Sequence, residues 1–128
     1  MIFSIFSRRL SRGAFIVATL CLCVAGCNSN ATNIGPPGDA ERGKLLAVEY
    51  GCAACHAMPG MPTQGLVGPP LEGIGNRSYL AGRLPNTPEN LVRWIRFPRE
   101  TDPDTLMPDM EVTEADSRDL AAFLYTLR

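Results

Sequence analysis

The chain has 128 residues, 45% of them hydrophobic and 20% charged, with a formal charge of −1. That is room for one globular domain and a further segment. The absence of a basic stripe, a long like-charge block or an internal repeat excludes a nucleic-acid-binding surface and a solenoid.

Residues 1–26 read as an export signal. Arg8, Arg9 and Arg12 stand in an acid-free start, and the uncharged apolar run AFIVATLCLCVAG follows, the charged-then-apolar order of a signal peptide. The run is shorter than the ~20 residues a membrane-spanning helix needs. It ends in VAGC, Val24 to Cys27, which resembles the bacterial lipobox. That resemblance implies cleavage before Cys27, lipid on its thiol and a mature protein held to a membrane in the bacterial periplasm. Residues 27–38 are polar and rich in glycine and proline, the composition of a flexible tether. The eleven residues after Cys27 reach ~36–40 Å when extended.

The domain proper is expected over residues 39–128 and to be all-α. Asp39 can cap a first helix running to about Tyr50, with Gly43 inside it. Residues 65–77, GLVGPPLEGIGNR, read as a loop from their glycines and prolines. Thr87 can cap a short helix that Pro88 suits and Pro98 stops, with Leu91, Trp94 and Ile95 on one side. Residues 99–110 are proline-broken and irregular. Thr113 with Asp116 resembles a capping box, and Leu120, Phe123, Leu124 and Leu127 then repeat at helical spacing to the C-terminus. No segment alternates like a strand. The loops are long for the size of the domain, so something other than side chains fills part of the core.

That something is indicated by GCAACHAMPG, residues 51–60, which holds Cys52, Cys55 and the chain's only histidine, His56. Cysteine arithmetic leaves these two thiols alone in the domain, since Cys21 and Cys23 leave with the signal and Cys27 takes lipid. A thiol–disulfide oxidoreductase would set such a pair in a β-α-β context, which is absent. Structural zinc takes four ligands, and no further cysteine or histidine follows. The spacing C-x-x-C-H fits covalent attachment of haem c, with His56 meeting the iron from one face. With no second histidine, the opposite ligand falls to a methionine. Met58 and Met61 lie within five residues of His56, at most ~18 Å of chain, which makes crossing to the other face awkward. Met107 and Met110 follow a whole helix later, and either can reach.

Three stretches in order, GDAERGKLLAVEYGCAACH, VGPPLEGIGNR and LMPDMEVTEADSRDLAAFLYTL, resemble the N-terminal helix, central loop, ligand loop and C-terminal helix of class I (monohaem) cytochromes c. The resemblance implies the cytochrome c fold, three to five short helices wrapped around one covalently bound haem. It implies Met107, not Met110, as the second axial ligand, and Pro69 as the residue whose carbonyl accepts the His56 ring N–H. It places Gly43 and Leu46 against Leu120 and Phe123 where the terminal helices cross, Trp94 facing the haem, and Arg77 near a haem propionate, with a solvated surface charge as the other reading of Arg77. Several members carry a middle-loop tryptophan on a propionate; here Trp94, in the later helix, is the only tryptophan. RLPNTPENLVRWIRFP most resembles the cytochrome domain fused to subunit II of some haem–copper oxidases, with no counterpart of the copper domain in this sequence.

Two axial ligands leave substrate nowhere to bind, and a methionine ligand and burial raise a haem's potential. The expected function is a membrane-tethered electron carrier, fed by a dehydrogenase or quinol-linked donor and emptied by a terminal oxidase or reductase. The alternative is a peroxidase-like or gas-binding haem protein with a labile sixth ligand; it would need a positioned proton donor, and His56 is already committed.

Overall fold

The computed structural model describes residues 37–128. The signal, most of the tether and Cys27 lie outside the described residues. Among the described residues, five α-helical segments, one 3-10 turn and one pair of two-residue strands follow in order.

Helix α1 spans Ala40–Glu49, and Asp39 caps it by accepting from the backbone N–H groups of Glu41 (3.0 Å) and Arg42 (3.1 Å). The chain turns at Gly51 (φ +69°), a left-handed backbone that glycine adopts without steric cost. One helical turn, α2, Cys52–Cys55, follows at once. After a long loop comes the 3-10 turn Ile74–Asn76. Helix α3, Pro88–Arg96, starts where expected, with Thr87 Oγ1 accepting from Asn90 N–H (3.2 Å). Pro98 does end α3, but it also opens a further turn, α4, Pro98–Thr101, because proline's missing N–H and fixed φ suit a first helical position. Helix α5, Glu114–Thr126, closes the chain.

Two sequence expectations change. Strands β1, Tyr79–Leu80, and β2, Leu84–Pro85, pair antiparallel across a turn with Ala81 and Gly82 both at positive φ. Two residues per strand are too few for a period-2 pattern to be visible. Asp116 does accept at the start of α5, but from the Thr113 hydroxyl (2.8 Å) while Thr113 Oγ1 takes the Asp116 N–H (3.1 Å). This aspartate bonds the Thr113 hydroxyl, where the glutamate of a full capping box reaches back to the backbone N–H.

The core is the crossing of α1 and α5, with buried Leu46 and Ala47 facing buried Leu120, Ala121, Phe123 and Leu124. Gly43 makes it possible: a Cβ there would stand 1.9 Å from the Asp119 carbonyl oxygen and 2.9 Å from Phe123 Cβ. The rim is tied by Arg42, whose guanidinium bonds both Asp116 and Asp119, and by Tyr50, whose hydroxyl donates to Asp116 Oδ2 (2.9 Å). These donors hold the Asp116 carboxyl below its ordinary value, the Thr113 hydroxyl first, then Tyr50 and Arg42. The Asp39 backbone N–H, then Arg42, does the same for Asp119. No helix among the described residues is long and apolar enough to cross a membrane.

Candidate cofactor site

Cys52, at the start of the CAAC turn, and His56, just after it, line one side of a cleft. His56 caps α2 through its own N–H to the Cys52 carbonyl (3.0 Å) and leaves the helix in extended conformation. The loop from residue 65 to residue 71 is then laid across this turn by three backbone bonds: Gly65 N–H to Ala53 O (3.0 Å), Gly68 N–H to Cys55 O (2.8 Å) and Leu71 N–H to Ala57 O (2.8 Å). Two glycines allow the approach. A Cβ on Gly65 would lie 2.3 Å from the Cys55 carbonyl carbon, and one on Gly68 would lie 2.4–2.9 Å from three atoms of the His56 ring.

The imidazole is therefore pinned between Gly68 and the bond from Nδ1 to the Pro69 carbonyl (2.7 Å). A carbonyl only accepts, so Nδ1 carries the proton and Nε2 holds the lone pair. Such a bond fixes the tautomer and raises the basicity of a metal-ligating histidine. Arg77 stands behind this loop: its Nη2 donates to the carbonyls of Pro70 and Glu72 (3.1 Å to the latter). It is exposed and does not line the cleft.

The cleft together with the solvent at its mouth spans about 610 Å3, and its walls are almost wholly apolar. Cys52, His56, Trp94, Met107 and Met110 all line it. Cys55, on the same helical turn as Cys52, is half-buried and outside the lining. Met58, only 1% exposed, contributes to the wall from the histidine side, and Met61 is buried in the core. Met107 is half-buried, its N–H donating to Thr105 Oγ1 (3.2 Å), whereas Met110 is 38% exposed. Both later methionines thus reach the cleft, as the chain order allows, and Met107 is the more enclosed.

Both thiols are unbridged. Burial pushes the Cys52 thiol up, the opposite of the depressed value that makes a thiol a redox nucleophile. Among the described residues no three His, Cys, Asp or Glu side chains gather as a metal-holding set, so the cleft does not have the composition of a zinc site. It does suit a flat apolar macrocycle: apolar walls, two half-buried thiols on one turn, one imidazole with its lone pair free and methionine sulfur across the chain.

Sequence reasoning did not single out Gly65 and Gly68, whose role depends on the turn beneath them; they were legible only as loop residues. It also did not find the bracket at Asn86. The Asn86 side-chain amide donates to the carbonyls of Ile74 (2.8 Å) and Arg77 (2.9 Å), and Tyr125 of α5 donates its hydroxyl to Asn86 (3.1 Å to Oδ1).

A small all-α domain around an apolar cleft, with C-x-x-C-H beside it, fits a haem-binding electron-transfer protein. Residues 40–128 match the family profile described as "Cytochrome c". The chain belongs to the cytochrome c family, whose members are electron-transfer proteins that bind haem c. It is similar to cytochrome c oxidase subunit 2 of Alkalihalophilus pseudofirmus, 36% identical over 90 residues that cover 70% of this chain and 26% of that protein. It is also similar to cytochrome c oxidase subunit 2 of Bacillus sp. (strain PS3), 32% identical over 82 residues, 60% of this chain and 23% of that protein. The chain spans about a quarter of the length of these curated relatives.

Proposed function

We propose that this protein is a membrane-tethered periplasmic electron carrier with one covalently attached haem c, bound through Cys52 and Cys55 and ligated by His56 and Met107. The haem supplies a centre that accepts and releases one electron. The chain's residues do the rest: His56 presents Nε2, the Pro69 carbonyl holds its ring, Trp94 and the aliphatic walls exclude water, and Met107 offers sulfur from the other side. The observation that carries this reading is the His56–Pro69 bond within the cleft that Met107 also lines. It leaves one histidine nitrogen prepared for a metal and no second histidine to serve as a distal acid–base group. The electron acceptor is a terminal oxidase or reductase, a reading supported by the similarity to oxidase subunits. The donor is a dehydrogenase or quinol-linked complex. Lipid on Cys27 and the tether after it keep the domain near the membrane surface, either as a free carrier or as a subunit of a larger complex.

Membranes from cells making the protein are expected to show a reduced-minus-oxidised c-type signal that titrates as a single one-electron step. Cys27→Ser should move that signal to the soluble fraction. A signal that stays in the membranes contradicts the anchor, and its absence from every fraction contradicts the carrier.

A further inference from the structure

Arg77 does not line the cleft; its guanidinium Nη2 bonds backbone oxygens instead. The two carbonyls it holds, of Pro70 and Glu72, directly follow Pro69, the residue that fixes the His56 ring. Proline at 70 locks φ, so ψ of Pro70 is the only soft torsion between the Pro70 carbonyl that Arg77 grips and the Pro69 carbonyl that His56 uses. A grip on the first therefore leaves the second a single torsion in which to move. Arg77 is in turn held from behind. The Asn86 amide bonds the Arg77 carbonyl (2.9 Å) and the Ile74 carbonyl (2.8 Å), while the Asn86 N–H donates to Ser78 (3.0 Å). Tyr125 secures Asn86 from helix α5.

We propose that Arg77, braced by Asn86, is a positioning residue for His56: it sets the geometry of the His56–Pro69 bond and through it the basicity of the histidine. This rests on His56 being the histidine ligand of the proposed haem. A stronger bond to Pro69 makes the imidazole a better donor, which favours the oxidised metal and lowers the midpoint potential. Loosening the clamp raises the midpoint. A contact between Arg77 and a haem propionate acts in the opposite direction, since removing that cation leaves a negative charge that favours the oxidised form.

The test uses the haem-loaded protein and three variants. Arg77→Lys keeps the charge but removes the guanidinium whose Nη2 serves both carbonyls. Asn86→Ala removes the brace without changing charge, and Arg77→Met removes both grip and charge. The first readout is deuterium exchange of the His56 Nδ1–H, followed as its iron-shifted proton resonance; the second is the midpoint potential. In Arg77→Lys and in Asn86→Ala the exchange should quicken roughly tenfold, the scale of one lost hydrogen bond, and the midpoint should rise. Exchange as slow as wild type in both would overturn the clamp. So would a midpoint that falls in Arg77→Met and stays unchanged in the other two, which assigns Arg77 to the propionate. A wild-type protein with no iron-shifted ring N–H would overturn the ligand role of His56, and the clamp with it.

Discussion

The two walls of the cleft are built differently. The histidine wall, residues 51–71, is stitched by three backbone bonds between segments ten or more residues apart, and glycine sits at two of the three meeting points. The methionine wall, residues 102–111, is held mostly by short local bonds: Asp104 N–H to Asp102 (3.3 Å), Met107 N–H to Thr105 (3.2 Å) and Glu111 N–H to Asp109 (2.9 Å). Leu106 beside Met107 is 83% exposed. One wall is preorganised by the fold, and the other is a sequence of small turns. In the proposed carrier the fixed histidine would set the position of the metal, and the looser wall would offer Met107 to it.

That contrast is broken most severely at Gly68. Gly68→Ala should drive a methyl group into the His56 ring and cost about 3 kcal/mol, the upper end for overpacking. Guanidinium unfolding of the haem-loaded protein measures it. A cost within about 0.5 kcal/mol, the range of ordinary surface changes, would mean the histidine wall is not rigid.

The backbone offers a finer comparison. Gly51 meets its left-handed turn with glycine, whereas Glu111 holds φ +54° with a side chain. Gly51→Ala should destabilise by roughly 1 kcal/mol, and Glu111→Gly should be neutral or stabilise by up to about 1 kcal/mol, since left-handed backbone is costly for residues with a Cβ. Both are read from unfolding midpoints. The same sign in both would show that the methionine wall is not strained.

The smallest effect concerns acid. Asp116 and Asp119 are held below their ordinary value of 3.8, so the folded state binds fewer protons than the unfolded chain. The stability they contribute is complete above that value, fades as pH falls through it and is lost below their folded values. Tyr50→Phe removes one donor to Asp116 and should flatten this acid limb in unfolding midpoints taken across the carboxylate range. An unchanged slope would remove Tyr50 from the linkage.

Much of this was visible in residues alone. Caps at Asp39, Thr87 and Thr113, the helical spacing from Leu120 and the glycine in α1 each act locally or on one helix face, where sequence spacing carries the information. C-x-x-C-H announces its own chemistry at a distance of four residues. Gly68, Arg77 and Asn86 were not legible in the same way. Their partners, His56, Pro70 and Tyr125, are set by how one loop lies over another, and backbone carbonyls leave no trace in residue type. The β1–β2 pair and α4 escaped because elements of two and four residues are shorter than any period that could betray them.

The central claim is that the two walls meet a single haem through His56 and Met107. The most direct measurement is the sulfur-to-iron charge-transfer absorption of the oxidised protein, compared in Met107→Ala and Met110→Ala. The account predicts that the absorption disappears in Met107→Ala and persists in Met110→Ala. Its loss in Met110→Ala alone would contradict the assignment of the methionine wall.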